Sequence, residues 1–238
     1  DSAVVACLAV DALGPSRVTA FALPGPFSAK ESAELARGLA RNLGIQFHTL
    51  NIESSYQEIL KGFESVFGGL EFGILNENIQ ARLRGLLLMG VANIKNTLLL
   101  TTGNKSEYAT GYCTLYGDMC GGLAPIADLL KRQVYALAEK YNEQIELIPA
   151  RIIERPPTAE LRPNQKDQDS LPPYEELDPI VQALVEKMKP ARTTSEKWVL
   201  NRMFGSEFKR WQAPPILRVS DHAFGQGRRL PITNKARF

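Results

Sequence analysis

Apolar residues in the first 141 positions alternate between helical spacing and short continuous runs. The clearest segment is 78–95, where apolar residues recur at i, i+4, i+7 and i+8 and so form one face of a helix. Further helices are predicted at 1–13, 29–43, 56–67 and 129–141, a buried strand at 17–23, and further strands at 45–51 and 97–101. Short strands separated by helices form parallel βαβ units, so the pattern predicts an α/β fold with an open, doubly wound parallel sheet.

The pattern changes after Ile148. The segment 153–173 contains five prolines among many polar residues, which predicts a loop or linker. Two helices are predicted beyond it, at 174–187 and from Thr194 to about Trp211. The chain then ends in a segment rich in glycine and arginine.

Composition excludes several classes of protein. The chain has 238 residues, of which 44% are hydrophobic and 23% charged, as in ordinary globular proteins. Its longest apolar runs fall far short of the roughly 18 residues that a membrane-spanning helix needs. Three cysteines without a CxxC pair and two distant histidines match neither a disulfide framework nor a zinc site. These features indicate a reducing compartment, so we expect a cytoplasmic protein.

Basic residues are concentrated at the end of the chain. The net charge is +2, but from Pro190 onward ten Lys and Arg residues accompany only three Asp and Glu residues. Such an extension is typical of a solubilising segment that packs on its own domain, of a surface that binds phosphate or nucleic acid, or of a contact with an acidic subunit. Composition alone leaves these three interpretations open.

The first candidate site follows the third predicted strand. Thr101 and Thr102 precede a turn at Gly103 and the start of a helix, where free backbone N–H groups favour an anion. Glu107 follows closely and offers a carboxylate of the kind that Mg²⁺ prefers. The same residues also fit a capped helix start that carries a favourably placed glutamate.

Two further groups of residues are candidates. Asn78 and Arg82 lie one turn apart on one helix face and offer an amide and a planar guanidinium for carboxylate or phosphate recognition. Lys131 lies at a helix start, where the helix dipole does not favour a cation, which indicates that it serves the negative charge of a ligand. An exposed polar stripe would show the same spacing as the first pair.

Five blocks of the sequence, taken in order, resemble the NAD synthetases, ATP-dependent amidotransferases of the adenine-nucleotide α-hydrolase group. The blocks extend over nearly the whole chain, and several exceed ten residues. They are Asn76–Arg84, Thr101–Gly122, Leu130–Val134, Glu154–Tyr174 and Ser206–Pro215. The resemblance implies that the doubly wound sheet is of the ATP pyrophosphatase type.

The resemblance also implies a two-step reaction and a set of residue roles. The nicotinate carboxylate of deamido-NAD attacks the α-phosphate of ATP and releases pyrophosphate, and ammonia then displaces AMP to form NAD. Mg²⁺ and lysine would neutralise the phosphate charge. Matched residue by residue, the implied roles are catalysis for Lys131 and Asp1; ATP binding for Ser2, Thr102, Lys131 and Thr158; deamido-NAD binding for Asn78, Arg82, Glu107 and Lys209; and Mg²⁺ binding for Asp1 and Glu107.

The two ends of the chain refine this expectation. Asp1 and Ser2 resemble the last part of the family's phosphate loop, Ser-Gly-Gly-x-Asp-Ser, which leaves open whether residues are missing before Asp1 and also near Ser28. The stretch 116–119 and the final segment resemble the longer, glutamine-dependent synthetases. The resemblance therefore implies an amidation domain over 1–238, with a basic extension from about residue 190 and a glutaminase domain upstream.

Two other functions stand as alternatives. A related phosphate-loop amidotransferase would act on another acceptor, such as nicotinate mononucleotide. A nucleic-acid-binding module would use the basic tail, although few aromatic residues accompany its arginines. We expect a homo-oligomer whose partners are ATP, deamido-NAD and ammonia or glutamine, and we expect it to bind neither nucleic acid nor membrane.

Overall fold

Helices connected by loops surround a short parallel sheet in the computed structural model, of which residues 1–225 and 228–233 are described. The helices are α1 (Ser2–Leu13), α2 (Lys30–Leu43), α3 (Glu53–Phe67), α4 (Ile74–Lys95), α5 (Lys105–Thr110), α6 (Lys131–Tyr141), α7 (Ala150–Glu154), α8 (Tyr174–Val181) and α9 (Thr194–Arg210). The strands are β1 (Thr19–Ala22) and β2 (Gln46–Thr49). Among these described residues, no helix combines the length and the apolar character that crossing a membrane requires.

The strands β1 and β2 pair in parallel, as the alternating pattern predicts. Thr19 lies opposite Gln46, and Ala22 lies opposite Thr49. The helix α2 connects the two strands and ends where the sequence predicts, because Gly44 adopts a left-handed conformation with φ of 68° and caps the last carbonyl groups. This strand–helix–strand unit is the parallel arrangement on which the fold prediction depends.

The third predicted strand, 97–101, is reduced to an isolated parallel bridge between Leu100 and Leu123. The N–H of Thr101 donates to the Leu123 carbonyl at 2.9 Å, which is one of the hydrogen bonds that hold the bridge. The partner segment turns at Gly121, whose φ of 150° is a conformation that L residues rarely adopt. The run of leucines therefore favours a strand, but the turn in its partner limits the pairing.

The second half of the chain follows the prediction with two differences. The predicted helix at 174–187 is divided, because Pro179 lies inside α8 and the chain continues as a π-helical turn over Gln182–Glu186. The predicted loop at 153–173 begins inside α7 and contains a 3-10 turn at Asp167–Asp169. A helix as short as α7 spans too few residues to show a hydrophobic period.

Two hydrophobic clusters pack on either side of the region where α5 and α6 begin. One cluster joins α1 and α2 to α6 and includes Val4 and Val134. The other joins α5, α8 and α9 and includes Leu177 and Met203. Val134 of α6 belongs to the first cluster and Leu130, directly before α6, to the second, so the two clusters meet at the start of this helix.

The described part of the basic extension packs against the domain. Ile216, Ala223 and Phe224 are buried and belong to the cluster that contains α9. The residues 226–227 and 234–238, which complete the predicted extension, lie outside the described residues. The apolar residues of this segment thus contribute to the core, although its composition is basic.

Lys105 forms a buried cluster of charges behind α5. Its Nζ lies 2.7 Å from an oxygen of Asp128, 2.7 Å from an oxygen of Glu186 and 3.0 Å from the hydroxyl of Ser220. Asp128 also accepts the backbone N–H groups of Val219 and Ser220, both at 2.7 Å. The cluster therefore ties α5 to the loop before α6, to the π-helical turn and to the C-terminal segment.

Replacement of the buried cation should destabilise the fold strongly. We expect Lys105→Met to lower the free energy of unfolding by about 3–5 kcal/mol, because two carboxylates then stay inside without a counter-charge. Urea unfolding measures the loss. The matched control is Lys140→Met, since Lys140 pairs with Glu143 at 2.7 Å but both side chains are more than half exposed, and such a pair contributes at most about 1 kcal/mol. Equal losses in the two variants would contradict the role given to Lys105.

The pKa of Asp128 predicts how this contribution depends on pH. Burial by itself would raise this pKa, but hydrogen bonds from Lys105 and from the N–H groups of Val219 and Ser220 lower it below its usual value. A carboxyl group with a lowered pKa stabilises the folded state above its unfolded pKa of about 4, and this stabilisation is lost as the pH falls through the folded pKa. The difference in unfolding free energy between wild type and Asp128→Asn should therefore shrink below about pH 4. A difference that stays constant from pH 3 to pH 7 would refute this expectation.

Candidate active site

A cleft of about 950 Å³ lies beyond the carboxyl end of β1. Ligands of open parallel sheets bind in this position. The structure brings all nine predicted site residues to the walls of this cleft. They are Asp1, Ser2, Asn78, Arg82, Thr102, Glu107, Lys131, Thr158 and Lys209.

The helix α5 carries Glu107 into the cleft from a capped first turn. Asn104 is the N-cap, and its side-chain oxygen accepts the N–H of Glu107 at 3.0 Å. The carboxylate of Glu107 accepts the N–H of Asn104 at 3.1 Å in return. This reciprocal capping box confirms the capped helix start, and one oxygen of Glu107 still points towards Lys131.

Lys131 lies between two carboxylates at the centre of the cleft. Its Nζ forms an ion pair with Asp1 and lies 3.9 Å from an oxygen of Glu107. Asn104 holds the other oxygen of Asp1 through a hydrogen bond of 3.0 Å. The three charged groups come from the starts of α1, α5 and α6, so three helix N-termini converge on one point.

Burial makes the ionisation of this cluster depend on its cation. It raises the pKa of Glu107 above the usual value, while the ammonium of Lys131 and the N–H of Asn104 partly oppose the shift. Lys131 itself is 5% exposed. The positive charge of Lys131 therefore favours the ionised form of Glu107, which its burial disfavours.

Aromatic rings surround the same ammonium group. The Nζ of Lys131 lies 5.5 Å from the ring centre of Tyr174 and 5.9 Å from that of Tyr135. The hydroxyl of Tyr174 donates to the buried carboxylate of Asp167 at 2.8 Å. Tyr174 and Asp167 belong to a block quoted above, but nothing in their sequence context distinguishes them from ordinary core and loop residues.

Asn78, Arg82 and Lys209 all bind one short segment, 111–115. Asn78 accepts a hydroxyl hydrogen bond at 2.9 Å, Arg82 donates to a carbonyl at 3.2 Å, and Lys209 donates to two carbonyls at 2.9 and 2.7 Å. Their partners are Thr114, Leu115, Gly111 and Cys113. The three side chains thus hold the backbone that forms one wall of the cleft.

Thr158 also lines the cleft, beside a residue, Glu160, that the sequence does not single out. Its hydroxyl accepts the N–H of Glu160 at 3.2 Å. Glu160 has a φ of 52° and accepts hydrogen bonds from Ala29, Ser32 and Arg155. These contacts hold a sparsely populated backbone conformation in place and fix the loop that presents Thr158.

The two carboxylates of the cleft could hold a metal ion that is also bound by the phosphates of a nucleotide. Within the described part of the chain, no group of three or more His, Cys, Asp and Glu side chains is arranged to hold a metal. Asp1 and Glu107 supply two carboxylates that converge on a single cation. Mg²⁺ is commonly bound by one or two carboxylates together with substrate phosphates and water, and this donor set meets that requirement.

Comparison with known sequences identifies close relatives. Residues 1–213 match the NAD synthase family. A glutamine-dependent NAD(+) synthetase from Aquifex aeolicus is 45% identical over an alignment of 243 positions that covers 99% of this chain and 43% of the relative. Another, from Xylella fastidiosa, is 45% identical over an alignment of 247 positions that covers 100% of this chain and 45% of the relative. The chain therefore spans less than half the length of these relatives.

Two solved structures show the same architecture. A glutamine-dependent NAD+ synthetase from Acinetobacter baumannii, in complex with ADP, has a TM-score of 0.64 and 36% identity over 97% of this chain and 43% of its own. The NMN synthetase from Francisella tularensis has a TM-score of 0.75 and 28% identity over 88% of this chain and 82% of its own. Together with the parallel pairing of β1 and β2, these matches confirm the predicted α/β fold with an open, doubly wound parallel sheet of the adenine-nucleotide α-hydrolase type.

Lys209 provides a test of how the cleft wall is held. Lys209→Met removes two charged hydrogen bonds, so we expect the backbone amides of 111–118 to exchange with solvent about tenfold faster or more. Hydrogen–deuterium exchange followed by mass spectrometry measures this change. Lys197→Met on the same helix is the control, because Lys197 is exposed and should leave the exchange unaltered. Exchange at the wild-type rate in Lys209→Met would show that the wall does not depend on this side chain.

Proposed function

The chain belongs to the NAD synthase family, as its sequence blocks predict, and from this premise we propose that it converts deamido-NAD to NAD by ATP-dependent amidation. The observation that carries the proposal is the convergence of Lys131, Asp1 and Glu107 in one cleft. A carboxylate is a poor acyl donor until one of its oxygens becomes part of a good leaving group. Transfer of the adenylyl group of ATP to the nicotinate carboxylate, with release of pyrophosphate, meets this need.

Lys131 is the proposed electrostatic catalyst of adenylation. Its buried ammonium would lie against the phosphates of ATP, where a preorganised cation stabilises the charge that develops in the transition state. Asp1 and Glu107 would hold Mg²⁺, which when bound neutralises phosphate charge and polarises the α-phosphate. Tyr174 and Tyr135 limit the directions in which the lysine side chain can move.

The remaining predicted residues would bind the two substrates. Ser2, Thr102 and Thr158 are proposed to contact ATP, and their hydroxyl groups can donate to phosphate or ribose oxygens. Asn78, Arg82 and Lys209 are proposed to bind deamido-NAD at the wall that they also hold together. For the second step, in which ammonia displaces AMP, positioning of the adenylate in the cleft would be sufficient.

The chain is proposed to be the amidation domain, 1–238, of a longer enzyme. In that enzyme a glutaminase domain upstream would supply ammonia, and the basic extension from about residue 190 would belong to the amidation domain. The support for this arrangement is that relatives named glutamine-dependent are about twice as long as the chain. The free cysteines Cys7, Cys113 and Cys120 suit the proposed cytoplasmic location.

An apolar surface on α3 and α4 supports the proposed homo-oligomer. Val66 and Phe67 on α3 are 72% and 69% exposed, and Leu86 and Ile94 on α4 are 67% and 81% exposed. Leu86 and Ile94 belong to the regular apolar face that the sequence predicts for α4, yet the domain itself leaves them uncovered. Exposed apolar patches of this kind are typical of protein–protein contacts.

One specific observation favours a second acceptor. The NMN synthetase of Francisella tularensis shares the fold at a TM-score of 0.75 and is covered over 82% of its length. Nicotinate mononucleotide carries the same carboxylate as deamido-NAD on a smaller molecule, so the same chemistry would apply to it. Deamido-NAD is the preferred proposal because the relatives with about 45% identity are named NAD(+) synthetases.

The decisive experiment supplies the full natural protein with ATP, Mg²⁺, ammonia and either deamido-NAD or nicotinate mononucleotide. We expect pyrophosphate release and NAD formation with deamido-NAD, and slower turnover with the mononucleotide. Lys131→Met keeps an unbranched side chain between the two tyrosine rings but removes the charge, so it should slow pyrophosphate release by about 10²–10³-fold. Glutamine in place of ammonia tests the upstream glutaminase.

Each outcome of this experiment has a distinct meaning. Release of neither pyrophosphate nor NAD by the wild type would refute the proposed function. Faster turnover of the mononucleotide would assign the acceptor to the second candidate. An active Lys131→Met variant that differs from wild type by less than threefold would remove Lys131 from the chemistry while leaving the overall reaction in place.

A further inference from the structure

The first turn of α6 is capped by side chains from two other helices. The N–H of Lys131 donates to the hydroxyl of Ser106 on α5 at 3.2 Å, and the N–H of Arg132 donates to a carboxylate oxygen of Asp178 on α8 at 2.8 Å. The N-cap residue, Leu130, has no side-chain oxygen that could accept these groups. The first N–H groups of a helix lack partners within it, so their capping decides where the helix begins.

The two capping side chains also bind each other. The hydroxyl of Ser106 donates to the second carboxylate oxygen of Asp178 at 2.5 Å, and both residues are buried. Each of the two oxygens of Asp178 therefore has a partner, one in α5 and one in α6. Because Ser106, Asp178 and the first N–H groups of α6 are hydrogen-bond partners of one another, removal of either side chain leaves a buried polar group without its partner.

Asp178 is connected to Lys131 by a second route. Tyr174 lies one turn before Asp178 on α8, and its ring is the one that lies 5.5 Å from the ammonium of Lys131. The helix α8 therefore contacts Lys131 and its neighbours at two points. Asp178 binds Ser106, which accepts the backbone N–H of Lys131, and the ring of Tyr174 lies beside the ammonium. Neither Ser106 nor Asp178 lines the cleft, so neither is placed to touch a substrate.

We propose that Ser106 and Asp178 are positioning residues that set the place of the Lys131 ammonium relative to the reacting phosphate. The proposal rests on the function proposed above, because it needs Lys131 to act in adenylation. Arg132 compensates the buried charge of Asp178 only in part, since its Nε is 3.6 Å from a carboxylate oxygen of Asp178 and its side chain is half exposed. A displacement of about 1 Å in a catalytic group can cost about a hundredfold in rate.

The test compares pyrophosphate release in single turnovers by the full natural protein, with ATP, Mg²⁺ and deamido-NAD. Ser106→Ala removes one oxygen atom and should slow release by about 10- to 100-fold, while the KM values for ATP and deamido-NAD change by less than about threefold. Asp178→Asn should have a similar effect. Because both act through the same capped turn, the double variant should be no slower than the slower single variant.

A control separates positioning from general stability. Tyr141→Phe removes a hydroxyl hydrogen bond of 2.6 Å to Asp11 at the other end of α6, and should release pyrophosphate at the wild-type rate. Thermal unfolding of every variant shows that the assays are run on folded protein, and if Asp178→Asn does not fold, Ser106→Ala alone decides.

Two results would overturn the inference. The first is release by Ser106→Ala within twofold of wild type, and the second is a loss that appears only in KM. If the wild type itself released no pyrophosphate, both the proposed function and this inference would be overturned. A failure of the inference alone would appear only in the variants, because the wild type would still be active.

Discussion

The buried ion pairs of Lys105 with Asp128 and Glu186 are the interactions on which the rest of the site depends. They hold α5 in place, and three residues at the start of this helix make separate contacts. Asn104 caps the helix and holds Asp1, Ser106 reaches the start of α6, and Glu107 enters the cleft. A buried charge of this kind is costly unless it is fully paired, so it tolerates little movement of the segments that pair with it. The same requirement explains why the C-terminal segment, despite its basic composition, is packed against the back of the site.

Inside the cleft the charges are arranged differently. Lys131 is shared by two carboxylates, and the burial of Glu107 opposes its ionisation. In the proposed reaction, the two carboxylates would hold Mg²⁺, and the phosphates of ATP would offer new partners to the ammonium. Lys131 would then exchange its carboxylate partners for phosphate oxygens. Rigid support at the first turn of α6 suits this exchange, because the backbone of Lys131 stays in place while its ammonium changes partners.

The two walls of the cleft are held by different means. Asn78, Arg82 and Lys209 bind the segment 111–115 mainly through its backbone carbonyls, so this wall depends on long polar side chains of α4 and α9. The loop of Thr158 depends on Glu160, whose left-handed backbone is held by contacts with the start of α2 and with Arg155. The exposed residues Leu86 and Ile94 belong to the same helix, α4, as Asn78 and Arg82. Association through the apolar surface on α3 and α4 would therefore bear directly on the wall proposed to bind the dinucleotide.

Local patterns determined much of this protein by themselves. Hydrophobic patterns predicted α1, α2, α4, α6 and the parallel strands, because the helices bury residues at helical spacing and Gly44 marks a helix end that favours a left-handed conformation. The sequence blocks also predicted the family, and they singled out nine residues that the structure places among those lining the cleft. Only the tertiary structure decided that Leu86 and Ile94 stay exposed, that the third strand is a single bridge, and that Ser106 and Asp178 cap α6 from other helices. These features arise between segments far apart along the chain, so no local pattern of residues records them.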